Sequence, residues 1–527
     1  MYNLAPTRAA KAKRAVSGSA SLPAPVGGWN ARDSLGEMAP TDAVALVNLF
    51  PTTTDCLLRL GYTQHATGMD GTVESLLCYT SGTAEKLFGV TDAGKIYDCT
   101  SAGAVGAAAV TTLTNGRFQY VNMTTAANSY LIAVNGADKA RYYTGAAWAK
   151  DGDGAPYDVS VLNTATAIDL TVHKGRIWYV QKDTLKAYYL ASGVIGGAAT
   201  LFDLSSIAQM GGELVAVDTW TIDAGYGVDD LLVFVTSKGE VLVYRGTDPS
   251  SSTTWAIVGV WRIGSPVGNR CLKKFAGDLL VLCEDGLMPM SGALQSSRLN
   301  PKVALSDKIQ YAMSQAISTY GSTFGWETLL FPRENMLWVN VPTSSTTSQQ
   351  YVMNTISKAW CSFTGWNAHC WEIFQNSPYF GGSGGIVYSA WNTYSDDNNN
   401  ITAFGLQAFN YFGKPALLKR ATMMRPIISS SGSVAVNAAV KVNAAVNYDF
   451  DKTPPTSSIS IAPTSYGVWD TSKWDAGIWG GDLQITKYWQ GVTGMGYSLA
   501  PAMSFAADGV ELRWISTDIV MERGAIL

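Results

Sequence analysis

A short apolar run, a tight turn and a second short strand that usually ends in an aromatic recur through the middle of the chain. Leu87–Thr91 leads through Asp92-Ala93-Gly94 to Lys95–Tyr97, and Tyr130–Val134 through Asn135-Gly136 to Arg141–Tyr143. Arg176–Val180 leads through Lys182-Asp183 to Ala187–Leu190, and Leu231–Val235 through Ser237-Lys238-Gly239 to Val241–Tyr244. Leu279–Cys283, Met336–Val341 and Pro378–Phe380 open three more such units, closed by Leu287–Met290, Gln350–Met353 and Ile386–Tyr388. Each unit predicts a β-hairpin, with Gly at most turns to supply positive φ. The second-strand anchors Tyr97, Tyr142, Tyr188, Tyr244, Met290, Tyr351 and Tyr388 are 45, 46, 56, 46, 61 and 37 residues apart. Strands alone, recurring at about 40–50 residues, are the pattern of a β-propeller. The other arrangement these strands allow is a run of stacked β-sandwiches.

The expected fold class is therefore mainly β: a β-propeller of about six blades, an additional β-sandwich-like domain and few helices. Seven hairpins fit six blades with one hairpin outside, or a ring closed by strands from both ends. Composition agrees. Charged residues are 15% of the 527, against about 25% in typical globular chains. Gly (52), Trp (17) and Tyr (25) are plentiful, which suits strands and turns better than helix surfaces. One helix is expected, with Ser306 as N-cap, Ile309, Met313, Ala316, Ile317 and Tyr320 on its apolar face, and Gly321 at its end.

Four regions follow. Residues 1–25 read as a flexible basic N-terminal arm. Arg8, Lys11, Lys13 and Arg14 stand there with no acid before Asp33, and the arm is either a docking segment or a free tail. Residues 26–70 read as a connecting segment, in which Ala43–Phe50 is a short helix or a strand. Residues 71–395 are the propeller-like body. Residues 396–527, past the polar loop Ser395–Asn400, form a C-terminal β-rich domain. Within it, Trp469, Trp474 and Trp479 are five apart, a spacing that matches neither a helix face nor a flat strand. They are expected on an ordered loop, packed on a neighbour or on their own sandwich.

Reactive chemistry is sparse. The seven Cys are odd in number and irregular in spacing, so they read as reduced, buried thiols rather than a disulfide framework. There is no HExxH, GxSxG, Walker A loop or strand-borne GxGxxG. Only His65, His173 and His369 could serve a nucleophile. His65 is expected exposed, His173 structural or solvent-facing, and His369 with Cys361 and Cys370 falls short of a zinc set. Asp151-Gly152-Asp153-Gly154 lacks the later acids of a calcium loop and reads as a turn. Asp229-Asp230 and Asp396-Asp397 are adjacent pairs, which strand alternation points to opposite faces, a poor geometry for glycoside cleavage. No cofactor or metal is expected. The net charge of −4 argues against a strongly basic nucleic-acid binder, but not against a wall that DNA slides past. No apolar window is long enough for a membrane-spanning helix, and no secretory signal follows the basic N-terminus.

From Gly27-Gly28-Trp29-Asn30-Ala31-Arg32-Asp33-Ser34-Leu35 onward the chain resembles the tail nozzle (tail-hub, tail tubular) family of short-tailed bacteriophages. Further similar stretches are Val134–Asp138, Gly246–Ser251, Tyr351–Thr355, Phe363–Asn367, Gln407–Gly413 and the Trp-rich element from Trp469 to Asp475. The likeness spans about residues 27–527. It implies a homo-hexameric ring around the DNA exit channel, below an adaptor ring on the portal, with tail fibres or spikes nearby. It implies a virion tail protein assembled in the host cytoplasm, viral DNA passing without sequence specificity, and no catalytic residue. Two other readings remain at this point: a receptor- or glycan-binding propeller, and a polysaccharide-degrading tail enzyme.

Overall fold

The computed structural model describes residues 17–223, 228–293, 301–432, 434–444, 459–461 and 483–524. Seven small antiparallel sheets stand around one axis. Blade one is Val73–Ser81, Ala84–Thr91 and Lys95–Asp98; blade two is Gln119–Thr124, Ser129–Val134, Arg141–Tyr143 and Trp148–Lys150. Blade three is Ala167–His173, Arg176–Gln181, Lys186–Tyr189 and Thr200–Asp203; blade four is Leu214–Asp223, Val228–Thr236, Glu240–Gly246 and Trp255–Arg262. Blade five is Leu272–Phe275, Asp278–Cys283 and Gly286–Pro289; blade six is Glu327–Phe331, Met336–Pro342, Ser348–Asn354 and Trp360–Thr364. Blade seven joins Cys370–Phe374, Ser377–Gly381 and Val387–Ala390 to Tyr62–Thr67, which comes from the N-terminal side. Every predicted hairpin lies inside a blade.

The first strand of each blade faces the axis and packs on a neighbouring blade, and Cys370–Phe374 packs on Val73–Ser81 to close the ring. The count is seven blades rather than about six. The seventh hairpin is not an extra unit, because Tyr62–Thr67 completes its sheet and closes the circle from both ends. That strand reads Tyr-Thr-Gln-His-Ala-Thr and carries no apolar run to announce it.

Side-chain alternation makes the ring cohere. Tyr142 and Tyr143 are adjacent, so they point to opposite faces of blade two. Tyr142 joins the core shared with blade three, and Tyr143 the core shared with blade one. Tyr188 and Tyr189 repeat the device on blade three. Between blades three and four, Trp255 lies with its ring planes 13° from those of Trp178 and Tyr244, at 5.6 Å from each.

The β-sandwich is built from both ends of the chain. One of its sheets holds Asp42–Val47, Ile401–Gln407, Leu499–Ala507, Val434–Val442 and Ile459–Ile461, and it continues without a break into blade six through Trp360–Thr364. The other holds Leu49–Pro51, Cys56–Leu58, Leu512–Arg523, Lys419–Ser430, Gln484–Thr486 and Gln490–Gly496. Three expected boundaries change accordingly. Ser17–Pro23, placed in the flexible arm, pairs along its length with Ser516–Glu522. Residues 26–70 are not a connector: they supply sandwich strands and then the closing strand of blade seven. The domain starting at 396 is only part of the sandwich. Ala43–Phe50 is strand, not helix. It bends at Asn48 (φ 57°), where the chain passes from one sheet to the other.

The helix Gln310–Tyr320 packs Met313, Ala316 and Ile317 against Leu280, Leu282 and Leu287 of blade five and Leu337 and Val339 of blade six. A short 3-10 turn, Asp307–Ile309, precedes it. Ser306 does not cap it, because its Oγ accepts from the Leu287 amide instead.

Arg59 ties the two bodies together. It is 0% exposed and donates through Nε to Asn48 Oδ1 (2.9 Å). Its Nη1 donates to Leu60 O and Asp396 Oδ1, and its Nη2 to Thr364 O and Asp396 Oδ2. Its guanidinium carbon lies 5.0 Å from the Trp366 ring centroid. Neighbouring backbone comes so close that a Cβ on Gly61 would sit 1.8 Å from the Ser395 carbonyl oxygen. Removing one partner of a buried, fully bonded ion pair costs about 3–5 kcal/mol. Arg59→Ala is therefore expected to lower stability by that amount in urea unfolding, while Arg333→Ala, on the surface, leaves the midpoint in place.

Candidate functional site

The axis of the propeller encloses a polar cavity of about 470 Å³, lined by the first strands of blades two to seven. Four carboxylates and three cations reach it. Lys274 pairs with Asp218 (3.0 Å), and Arg270 with Glu327 (3.2 Å). Glu372 accepts from the Tyr120 hydroxyl (2.7 Å) and from the Ile373 amide. Asp169 accepts from the Val217 amide at 2.8 Å. Burial raises the pKa of both Asp169 and Glu372, for Asp169 well above the usual carboxylate range. Lys273 faces Glu372, and the hydroxyl of buried Thr328 has no hydrogen-bond partner.

Arg270 closes one end. From the start of blade five its Nη2 donates to Ser75 Oγ (2.6 Å) and Glu74 O on blade one, and to Phe118 O beside blade two. Its Nη1 meets Glu327 on blade six. Phe324 lies under Arg117 and Arg270, 4.4 and 5.3 Å from ring centroid to guanidinium carbon. A guanidinium joined to four blades fixes their mutual angles at that end of the axis.

A second, larger cavity of about 1000 Å³ lies between the helix Gln310–Tyr320, the segment 29–38 and the sandwich sheet that continues from blade six. Tyr311 stands at its lip, 71% exposed.

The sequence-predicted site residues divide in two. Trp469, Trp474, Trp479, Arg8, Lys11, Lys13 and Arg14 lie outside the described residues. The side chain of Asp229 lies outside the described residues as well, and the other reactive candidates are held structurally. His65 is half-buried rather than exposed: its strand is interior to blade seven, and its Nε2 donates to the Cys99 carbonyl (2.9 Å). His173 is buried beside Thr219, and His369 is buried with its Nε2 3.1 Å from Ser383 Oγ. Among the described residues no carboxylate hydrogen-bonds the other ring nitrogen of His369. Asp151 accepts from the Val159 amide, Thr164 and Lys139, which makes a turn. Asp396 is neutralised by Arg59, and Asp230 by Lys174. All seven Cys are buried free thiols whose pKa burial raises. Among the described residues no group of His, Cys, Asp or Glu could hold a metal, and no helix is long and apolar enough to cross a membrane. Sequence reasoning missed Arg270, Lys273 and Glu372. Their only signal is a charge in the first strand of a blade, which becomes meaningful once the axis is known.

Ring order and sheet pairing define the class: a seven-bladed β-propeller fused to a β-sandwich. No protein-family model and no curated protein matches the sequence. Among solved structures, the chain is similar to the extracellular domain of the putative one component system BT4673 from B. thetaiotaomicron, at 12% identity and TM-score 0.40, covering 65% of this chain and 41% of that one. It is also similar to BBS1N in complex with ARL6DN (10% identity, TM-score 0.41, 64% of this chain and 99% of that one). The WD40 beta propeller domain of Doa1 matches at 11% identity and TM-score 0.38, over 63% and 97% of the two chains. The chain thus spans less than half of the BT4673 extracellular domain. The propeller assignment itself rests on the sheet topology.

Burial gives the interior a pH dependence. The imidazole of His173, 2% exposed, has its pKa lowered to about 4 by desolvation, with Lys174 and Lys274 adding to the effect and Asp230 opposing it. As pH falls below about 6.5 the unfolded chain takes up this proton and the folded chain does not, so stability is lost between about pH 6.5 and 4. The loss is on the order of 3 kcal/mol, at about 1.4 kcal/mol per unit. The raised pKa values of Asp169 and Glu372 act with the opposite sign, since acid relieves their buried charge. Comparing urea unfolding of wild type and His173→Gln at pH 7 and pH 4.5 isolates the histidine: the variant is expected to lose less stability on acidification.

Proposed function

We propose that this chain is a structural protein of a short-tailed phage virion, a nozzle subunit that forms a ring around the DNA exit channel below the portal–adaptor complex. The observation that carries the reading is mechanical. Propeller and sandwich share one continuous ten-stranded sheet, and Arg59 locks the junction. A tube that contains packed DNA has to resist bending, and a sheet running through two bodies has no hinge between them. The narrow axial cavity of about 470 Å³, with Arg270 bonded across one end, fits a channel that runs between subunits of a homo-hexamer rather than through one. A weakly acidic chain would release phosphates readily. The reading assigns no catalytic step and no cofactor. Its partners are further copies, an adaptor ring, tail fibres or spikes, and viral DNA held without sequence specificity. Arg8, Lys11, Lys13, Arg14 and the indoles of Trp469, Trp474 and Trp479 are its proposed interface residues.

The second reading, a receptor- or glycan-binding tail protein, draws on the 1000 Å³ cavity with Tyr311 at its lip, where a sugar ring could stack. Negative-stain images of the purified full chain test the first reading: six-fold rings with an open centre are expected. A chain that stays monomeric at every attainable concentration and is missing from virions sinks it. Specific hits on a glycan array, abolished by Tyr311→Ala, would favour the second.

A further inference from the structure

Among the described residues, the exposed large apolar side chains are not scattered. Six belong to blades three and four or the segments beside them, six to the sandwich, and Tyr311 and Ile356 to neither. The first group centres on the outer edge of blade three, where Val161 and Leu201 lie close together. The second is the sandwich sheet outside blade six, with Met423, Ile485, Tyr488 and Met495. Single exposed apolar residues are ordinary, but clustered ones mark contact surfaces.

Each cluster is ordered by its own backbone. On the rim, Val159–Ser160 pairs with Gly197–Ala198, which sets Val161 beside Ala199 and two residues from Leu201. Val161 is 72% exposed at φ 73°, a left-handed conformation that strains a β-branched residue. On the sandwich, Met495 stands across from Arg420, and Met423 across from Gly491, on the outward face of Lys419–Ser430.

The two surfaces carry opposite charge. Beside blade three, residues 152–163 and 190–213 hold Asp153, Asp158, Asp203 and Glu213 and no Lys, Arg or His; Asp151 is buried on Lys139, and Lys186 stands opposite Asp203 on the next strand. Residues 414–430 and 483–497 hold Lys414, Lys419, Arg420, Arg425 and Lys487 and no acid. Asp518 pairs with Arg425, Glu522 stands across from Arg420, and Lys419 is buried, so Lys487 and Lys414 remain outward without an opposing acid among the described residues. The positions are opposed as well. The sandwich joins the ring at blades six and seven, and blade three is three places from each.

We infer that these are the two halves of one head-to-tail contact: the acidic, apolar rim of blade three of one copy docks on the basic, apolar sandwich face of a second. Two unlike surfaces at opposite ends of a rigid body cannot meet face to face through a two-fold axis. They generate rings or open chains. That the product is a closed ring rests on the reading proposed above; the pairing of the two surfaces does not.

The test uses the full chain in two variants, Val161→Asp/Leu201→Asp on the rim and Met423→Asp/Met495→Asp on the sandwich. All four positions are exposed, and unchanged thermal melting by circular dichroism confirms folding. Light scattering after size exclusion should find each variant monomeric and their equimolar mixture a one-to-one dimer, since one intact contact remains between them. Wild-type rings that persist in both variants, or a mixture that stays monomeric, overturn the contact and leave the nozzle reading standing. A monomeric wild type overturns both. Charge exchange supplies a second measurement. Asp158→Lys/Asp203→Lys should weaken assembly about tenfold, and mixing with Arg420→Glu/Lys487→Glu should restore it; no change on either arm counts against the pairing.

Discussion

The guanidinium of Arg59 is the point on which the architecture turns. Burying a cation without partners is prohibitive, so Arg59 can occupy the interior only if every donor finds an acceptor. Those acceptors come from residues far apart in sequence: Asn48, Leu60, Thr364 and Asp396. Asn48 bends the chain between the two sandwich sheets. Leu60 precedes the closing strand of the propeller. Thr364 ends blade six, and Asp396 begins the passage from propeller to sandwich. One side chain thus fixes the relative position of four segments whose connections would otherwise leave them free to separate. The stacking of Trp366 over the guanidinium shields it from water.

The propeller solves a related problem around its axis. Its closing sheet draws strands from both sides of the ring, so opening the circle requires breaking a β-ladder rather than a loop contact. Blades cohere through aromatic side chains that alternate between adjacent cores, and the axis is spanned by Arg270. The resulting body has buried charge at its junction and along its centre.

Among the described residues the reactive candidates serve the fold. Each His is held by a backbone or hydroxyl partner, each Cys is a buried thiol, and one member of each acidic pair, Asp396 or Asp230, is taken up by a cation. Asp396 and Asp397 illustrate it: one belongs to Arg59 and the other accepts from Gln64.

Local sequence determined the hairpins, because strand alternation and turn glycine act over fewer than ten residues. It determined the apolar face of the helix Gln310–Tyr320 for the same reason, and it excluded the familiar catalytic motifs. Tertiary structure decided what those pieces meet. Ser17–Pro23 pairs with a strand some 500 residues away and Tyr62–Thr67 with one some 320 residues away, and nothing in a Ser-, Ala- or Thr-rich stretch announces either. The blade count, the sandwich built from both ends, and the convergence on Arg59 and Arg270 share this origin: long-range pairing satisfies polar groups that carry no mark in the local pattern.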